Sequence, residues 1–199
     1  MVLTPVQQQR RASIVIAALD LAAGGYDAVH IRTVAGRAEV AASTVYQYFS
    51  SKDDLLLSCL HYWLTAYTFV APPIPGGGTA VPYQRLLPLI TDVTEGLCAM
   101  PRLAEALVRA YLYADGAAAE NAALVRQALS QMFTDAIEAK PQTLRDEQVG
   151  ELLTDVWTAN IIAFVQNRVS VDGLLRRLEC AVATISLSEH RLVPAALSR

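Results

Sequence analysis

The 199-residue chain is 53% hydrophobic and only 18% charged, with a formal net charge of −3. That length accommodates one large domain or a small domain joined to a bigger one, and the composition indicates extensive burial. A net-acidic chain is not a wholesale polyanion binder. No apolar run reaches the roughly 18–20 residues needed to span a bilayer. The first residues, "MVLTPVQQQRRAS", lack the apolar centre of a signal peptide. A soluble cytoplasmic protein with no membrane partner is expected.

Cys59, Cys98 and Cys180 are widely spaced and form no Cys-x-x-Cys pair, so no metal site is expected and all three read as small buried hydrophobes. Charge is unevenly spread. Residues 1–52 hold Arg10, Arg11, Arg32, Arg37 and Lys52 against Asp20, Asp27 and Glu39, a surplus of +2, which leaves −5 on the rest of the chain. A mildly basic N-terminal unit on an acidic body suggests a local electrostatic footprint.

In chain order, Ile14, Ala17, Ala18, Leu21 and Ala22 recur at helical spacing over 7–24, and Gly24-Gly25 supplies a stop. A short helix follows over Ile31–Ala38, with Val34, Ala35 and Ala38 inward. After "EVAA" comes "STVYQYFS". A longer helix then runs from Lys52 to about Val70, with Asp53 and Asp54 in its first turn, where acidic groups are favourable. "APPIPGGGTAVP", residues 71–82, is a breaker-rich linker. Beyond it, helices are expected over Tyr83–Met100, Pro101–Tyr113, Ala117–Ala139, Asp146–Arg168 and Val171–Leu187. No strand pattern with hairpin punctuation occurs, so the fold class is all-α.

The segment "TVYQYF" is β-branched and aromatic, and taken alone it favours a strand. Its helical neighbours favour a helix instead. On a helix, Val45 and Phe49 face inward, while Thr44, Gln47, Tyr48 and Ser51 follow one another along a polar side. Behind a short helix and a tight turn, this is a helix-turn-helix whose second element enters the major groove of double-stranded DNA. Candidate DNA contacts are Arg11, Arg32, Thr33, Ser43, Thr44, Tyr46, Gln47, Tyr48 and Lys52. Most such groups position a protein on phosphates, and with so few cations two paired subunits are needed for tight binding.

"GGYDAVHIRTVAGRAEVAASTVYQYFSSKDDLL", Gly24 to Leu56, resembles the N-terminal signature of TetR-family transcriptional repressors. The match runs through Tyr26, Val34-Ala35, Ala38, Val40, Thr44-Val45-Tyr46, Tyr48-Phe49, Lys52 and Leu55. Glu39 stands where that family usually has Gly in the turn, and Ala41 where a Ser usually caps the recognition helix. "LVRAYLYADGAAA", Leu107 to Ala119, and "TDVWTANIIAFVQNRVSVDGLLRRLECAV", Thr154 to Val182, are similar to KstR-type repressors of steroid catabolism. The resemblance implies a body of about nine helices. A three-helix DNA-binding domain over residues 1–52 would precede an effector-binding and dimerisation domain over 53–199. It further implies a homodimeric repressor on a palindromic operator, released by a steroid or fatty acyl-CoA thioester. Sensing of drugs or other lipophiles is the alternative.

The apolar stripes of the last two helices line either an intramolecular core or a two-fold four-helix interface, and periodicity does not separate these. Leu153, Val156, Ile161, Leu175, Leu178 and Val182 are the interface candidates. Effector candidates are the aromatics Trp63, Tyr67, Tyr111, Trp157 and Phe164, each also suited to core packing, with Arg109 and Asn160 as polar anchors. Arg109 reads equally as a partner of Glu105 or Asp115. His30, His61 and His190 are isolated, and no nucleophile elbow, phosphate loop or metal spacing accompanies them. No catalytic residue or cofactor is expected. A ligand-binding module without DNA affinity is the remaining rival.

Overall fold

The computed structural model describes residues 3–70, 85–137 and 143–192. Among these, all regular structure is helical: α1 (Pro5–Ala22), a 3-10 turn (Tyr26–Ala28), α2 (Ile31–Arg37), α3 (Ala42–Tyr48), α4 (Lys52–Thr65), α5 (Leu86–Cys98), α6 (Pro101–Leu112), α7 (Gly116–Asp135), α8 (Leu144–Val165) and α9 (Val171–Leu192). The all-α expectation holds. The 71–82 linker lies outside the described residues, as do the expected helical positions 83–84 and 138–139.

Several boundaries differ from the periodicity for local physical reasons. Helix α1 begins at Pro5 because Thr4 and Gln7 form a reciprocal capping box and proline suits the first helical position. Thr143 and Asp146 do the same for α8, starting it at Leu144. Helix α4 stops at Thr65, short of Val70. The "YTFV" run beyond it has weak helical propensity, and two prolines follow.

The helices gather into two compact units. The first comprises residues 1–67 and 97–128, the second 68–96 and 129–199. A boundary after residue 52 therefore falls inside the first unit, where α1 packs on α4 and α4 on α6. Ile14, Ala18, Val34, Val45, Phe49, Leu55, Leu56 and Cys59 form its core. Burial pushes the Cys59 thiol up to about 12, and its Sγ lies 3.4 Å from the Val15 carbonyl oxygen it donates to. Cys98 is also buried, whereas Cys180 is exposed, contrary to expectation.

In the second unit, Val149, Leu153, Trp157 and Ile161 of α8 stand four apart and are buried, as are Leu174, Leu178 and Val182 of α9. Gly150 lets α8 approach the end of α7, since a Cβ there would lie 2.8 Å from the Ser130 carbonyl oxygen and collide with the Thr134 hydroxyl. Leu153, Ile161, Leu178 and Val182 are thus core residues of a single chain, not the interface positions expected of them. Of the six, Val156 and Leu175 remain half-exposed.

Candidate nucleic-acid interface

Helix α3 has only seven residues, too few to persist alone. Tertiary burial holds it. Val45 and Phe49 are enclosed, and side chains of this size contribute about 1.5–3 kcal/mol each. Phe49 is the C-cap, already extended at φ −136°, and its N–H donates to the Val45 carbonyl at 3.0 Å. The β propensity of "TVYQYF" yields to that packing. Ser51 is not part of the polar face: it N-caps α4, accepting from the Asp54 N–H at 3.0 Å.

The outer side of α3 is open. Ser43, Tyr46 and Gln47 are exposed, and Thr44 and Tyr48 are half-exposed. Tyr46 has 58% of its surface free, unusual for a large ring. On α2, Arg32 and Thr33 are exposed as well. Among the described residues, none of these seven side chains has a hydrogen bond or ion pair within the protein. An exposed row of hydroxyl, amide and guanidinium groups on short, well-anchored helices suits phosphate and base-edge contacts.

The turn between α2 and α3 closes as a Schellman motif. Val40 N–H donates to the Ala35 carbonyl at 3.0 Å, and Glu39 N–H to that of Gly36 at 3.3 Å. Glu39 is accordingly held at φ +54°, a left-handed conformation that favours glycine. No side chain caps α3 at Ala41. Glu39 also borders an open cleft of about 560 Å³ lined by Ser13, Ile16, Ala17, Asp20, Arg37 and Ala38.

Two expected DNA contacts are engaged elsewhere. The Arg11 guanidinium donates to the Ser58 hydroxyl at 3.0 Å and lies 5.1 Å from the Phe49 ring centre, bracing α1 against α4 beside the end of α3. Lys52 places its ammonium 3.7 Å from the centre of the Tyr26 ring, with the Arg109 guanidinium 4.1 Å from the same centre. Burial lowers the Lys52 pKa. The Tyr26 hydroxyl donates to Asp53 at 2.7 Å, its backbone N–H to Glu105 at 3.4 Å, and Arg109 reaches Asp27 at 3.9 Å. Burial first, then the Asp53 carboxylate, push the Tyr26 phenol up to about 12. This joint ties the 3-10 turn to α4 and α6. Arg109 pairs with Asp27 in it, not with Glu105 or Asp115. The exposed cations Arg10 and Arg37, outside the candidate set, are the remaining arginines and lysines of residues 1–52.

The effector candidates divide between the units. Trp63 and Tyr67 pair with ring centres 5.2 Å apart near the end of α4, and Tyr111 is half-buried on α6. In the second unit, Trp157 Nε1 donates to the Thr94 hydroxyl at 2.9 Å, which donates to the Ile90 carbonyl at 2.5 Å. Asn160 donates to the Val156 carbonyl at 2.8 Å and accepts from Arg177 at 3.3 Å, and Phe164 is half-buried. No local pattern singles out Thr94, whose role rests on a contact 63 positions away. No group of three or more His, Cys, Asp or Glu among the described residues could hold a metal. No described helix is long and apolar enough to cross a membrane.

The fold and this open face define a helix-turn-helix regulator. Residues 14–59 match the family model for bacterial regulatory proteins of the tetR family, and residues 78–185 match that for the tetracyclin repressor-like C-terminal domain. The HTH-type transcriptional repressor KstR of Mycolicibacterium smegmatis is 35% identical over 189 residues, covering 93% of this chain and 91% of the relative. Its counterpart in Mycobacterium tuberculosis is 34% identical over 177 residues, covering 88% and 80%. A TetR transcriptional regulator from Rhodococcus sp. RHA1 superposes with a TM-score of 0.78 at 25% identity, over 93% of this chain and 98% of that one. The chain belongs to the TetR family of transcriptional regulators, and it is not an enzyme.

Proposed function

We propose that this regulator binds a palindromic operator as a homodimer in the cytoplasm, with DNA contacts confined to residues 1–52. Arg32, Thr33, Ser43, Thr44, Tyr46, Gln47 and Tyr48 face the duplex, and Arg10 and Arg37 add phosphate charge. One observation carries the reading: α3 is locked from behind by buried Val45 and Phe49, while among the described residues no hydrogen bond or ion pair engages its polar front. Pairing two subunits places a head in each of two successive major grooves. The subunits pair through the outward side of α8 and α9, where Leu152 is 51% and Leu187 67% exposed and Val156 and Leu175 are half-covered.

The effector is a steroid-derived acyl-CoA thioester, and residues 53–199 receive it. Similarity to KstR repressors over most of the chain supports this assignment. Its candidate apolar contacts are the Trp63–Tyr67 pair and Tyr111 within the first unit and, separately, Trp157 and Phe164 within the second, where Asn160 is a candidate polar contact. Arg109 lies within the Tyr26 joint and links ligand occupancy to the reading head. Such a ligand releases DNA only through preferential affinity for the non-binding arrangement. The second reading, a sensor of drugs or free lipophiles, shares the same aromatic walls.

Footprinting on the DNA upstream of the protein's own gene, with and without steroid acyl-CoA thioesters, tests both halves. A protected palindrome that the thioesters, but not their free acids, abolish is the expected result. Thermal stabilisation by cationic dyes and by neither thioester nor acid would transfer the chain to the drug-sensing class.

A further inference from the structure

Asp54, in the first turn of α4, is only 5% exposed, and among the described residues no cation pairs with it. A carboxylate removed from water without a counter-ion depends on hydrogen-bond donors for both oxygens. One oxygen, Oδ2, accepts from the Ser50 backbone N–H at 2.7 Å and the Ser50 hydroxyl at 2.9 Å. The other, Oδ1, accepts from the side-chain amide of Asn121, 67 residues along the chain on α7. Ser50 directly follows Phe49, so this carboxylate pins the exit of the reading helix, and its own satisfaction is completed from α7.

Local structure gives no reason for asparagine at 121. The surrounding α7 sequence, "GAAAENAAL", is alanine-rich, and asparagine is among the weaker helix formers. Its amide is aimed at a partly enclosed acceptor in another element of the same compact unit. If α7 withdraws, Oδ1 loses its donor, and the Asp54 carboxylate must either find water or release Ser50.

We infer that Asn121 is a positioning residue for DNA reading: it completes the hydrogen bonding of buried Asp54, which fixes Ser50 and hence the seat of α3. This rests on the proposed DNA-binding role of α3, and it makes α7 a second element, besides α6 with Arg109, through which the body governs the head.

The test compares the wild type, Asn121→Asp, and the double variant Asp54→Asn/Asn121→Asp. The single variant sets two carboxylates against each other. The double variant restores complementarity by exchanging the two groups. The amide introduced at position 54 accepts from Ser50 through its carbonyl and donates through its nitrogen to the carboxylate introduced at position 121. Binding to duplex DNA from the protein's own upstream region is read by anisotropy, and amide exchange is followed over residues 42–51.

Asn121→Asp is expected to weaken specific binding at least tenfold and to speed exchange over 42–51, while α8 and α9 keep their protection. The exchanged pair is expected to return within about threefold of the wild type. If Asn121→Asp does not fold, Asn121→Ser, which only withdraws the amide, carries the same expectations for affinity and exchange. Wild-type affinity and exchange in the single variant, with or without a lower melting point, would reduce Asn121 to a packing residue. A double variant no better than the single would also overturn the proposal. Failure of the wild type itself to bind any duplex would remove the DNA-reading role beneath it, a result separable from the others.

Discussion

The Tyr26 joint and the outer face of α3 are built from the same kinds of side chain in the same compact unit, yet they are wired oppositely. At the joint, Lys52, Arg109, Asp53 and Glu105 close on one tyrosine, and exposed Asp27 pairs with Arg109, so the tyrosine's polar groups are engaged within the fold. On α3, Ser43, Tyr46 and Gln47 are exposed, and among the described residues no hydrogen bond satisfies their side chains. Residue type alone does not distinguish these uses: Lys52 suits a phosphate by its chemistry, yet its ammonium lies over the Tyr26 ring. What separates them is whether a partner arrives from elsewhere in the chain. Closed clusters set where the head sits, and open ones set what it touches.

Removing the support behind the open face has the largest effect. Phe49→Ala is expected to cost about 3–5 kcal/mol of stability, because it empties a fully enclosed site beneath α3. Urea unfolding measures this, and the loss extends to DNA binding because α3 has no other anchor of that size.

Opening the closed cluster is milder. Tyr26→Phe keeps the ring for Lys52 and Arg109 and deletes the hydroxyl that donates to Asp53, at a cost of about 1 kcal/mol near neutral pH. Its pH signature is specific. The folded state raises the phenol from 10.0 to about 12, so it favours the neutral form. The resulting stability is fully present below the unfolded value and is lost as pH climbs toward the folded one. Unfolding midpoints measured at about pH 9 and pH 11 should therefore diverge less in Tyr26→Phe than in the wild type.

The smallest expected effect has the opposite sign. Glu39→Gly relieves a left-handed residue and is expected to stabilise the head by about 0.5–1 kcal/mol. It also removes a negative charge beside the reading face, so DNA affinity should rise, more at low salt than at high. Asn167 ends α8 in the same conformation at φ +56°. Asparagine tolerates that region, so Asn167→Gly is expected to change thermal stability less.

Much of the first unit was legible because its rules are local. Buried Val45 and Phe49 stand four apart, the acidic first turn of α4 marks its start, and a Gly-Gly stop ends α1. The capping boxes at Thr4 and Thr143 were equally local, and their Thr-x-x-Gln and Thr-x-x-Asp signatures were present to be read. Asp54 with Asn121, and Trp157 with Thr94, were not legible: each joins residues more than 60 positions apart, and no periodicity reports such a meeting. The apolar stripes of α8 and α9 failed for a different reason. A stripe wide enough to include Leu152, Leu153 and Val156 contains both core and surface, and only burial shows that Leu153 is enclosed while Leu152 is not. Four of the six dimer candidates, Leu153, Ile161, Leu178 and Val182, accordingly lie inside the single chain.

The central claim is that the outward side of α3 meets duplex DNA. Anisotropy titrations of the wild type and Gln47→Ala against the upstream duplex, at several salt concentrations, test it most directly. Saturable wild-type binding that weakens steeply with salt is expected. Gln47→Ala should bind about tenfold to a hundredfold more weakly at each salt concentration, as for loss of one specific contact, with an unchanged melting temperature. Equal affinity of the two proteins, or wild-type binding no tighter than to an unrelated duplex, would contradict it.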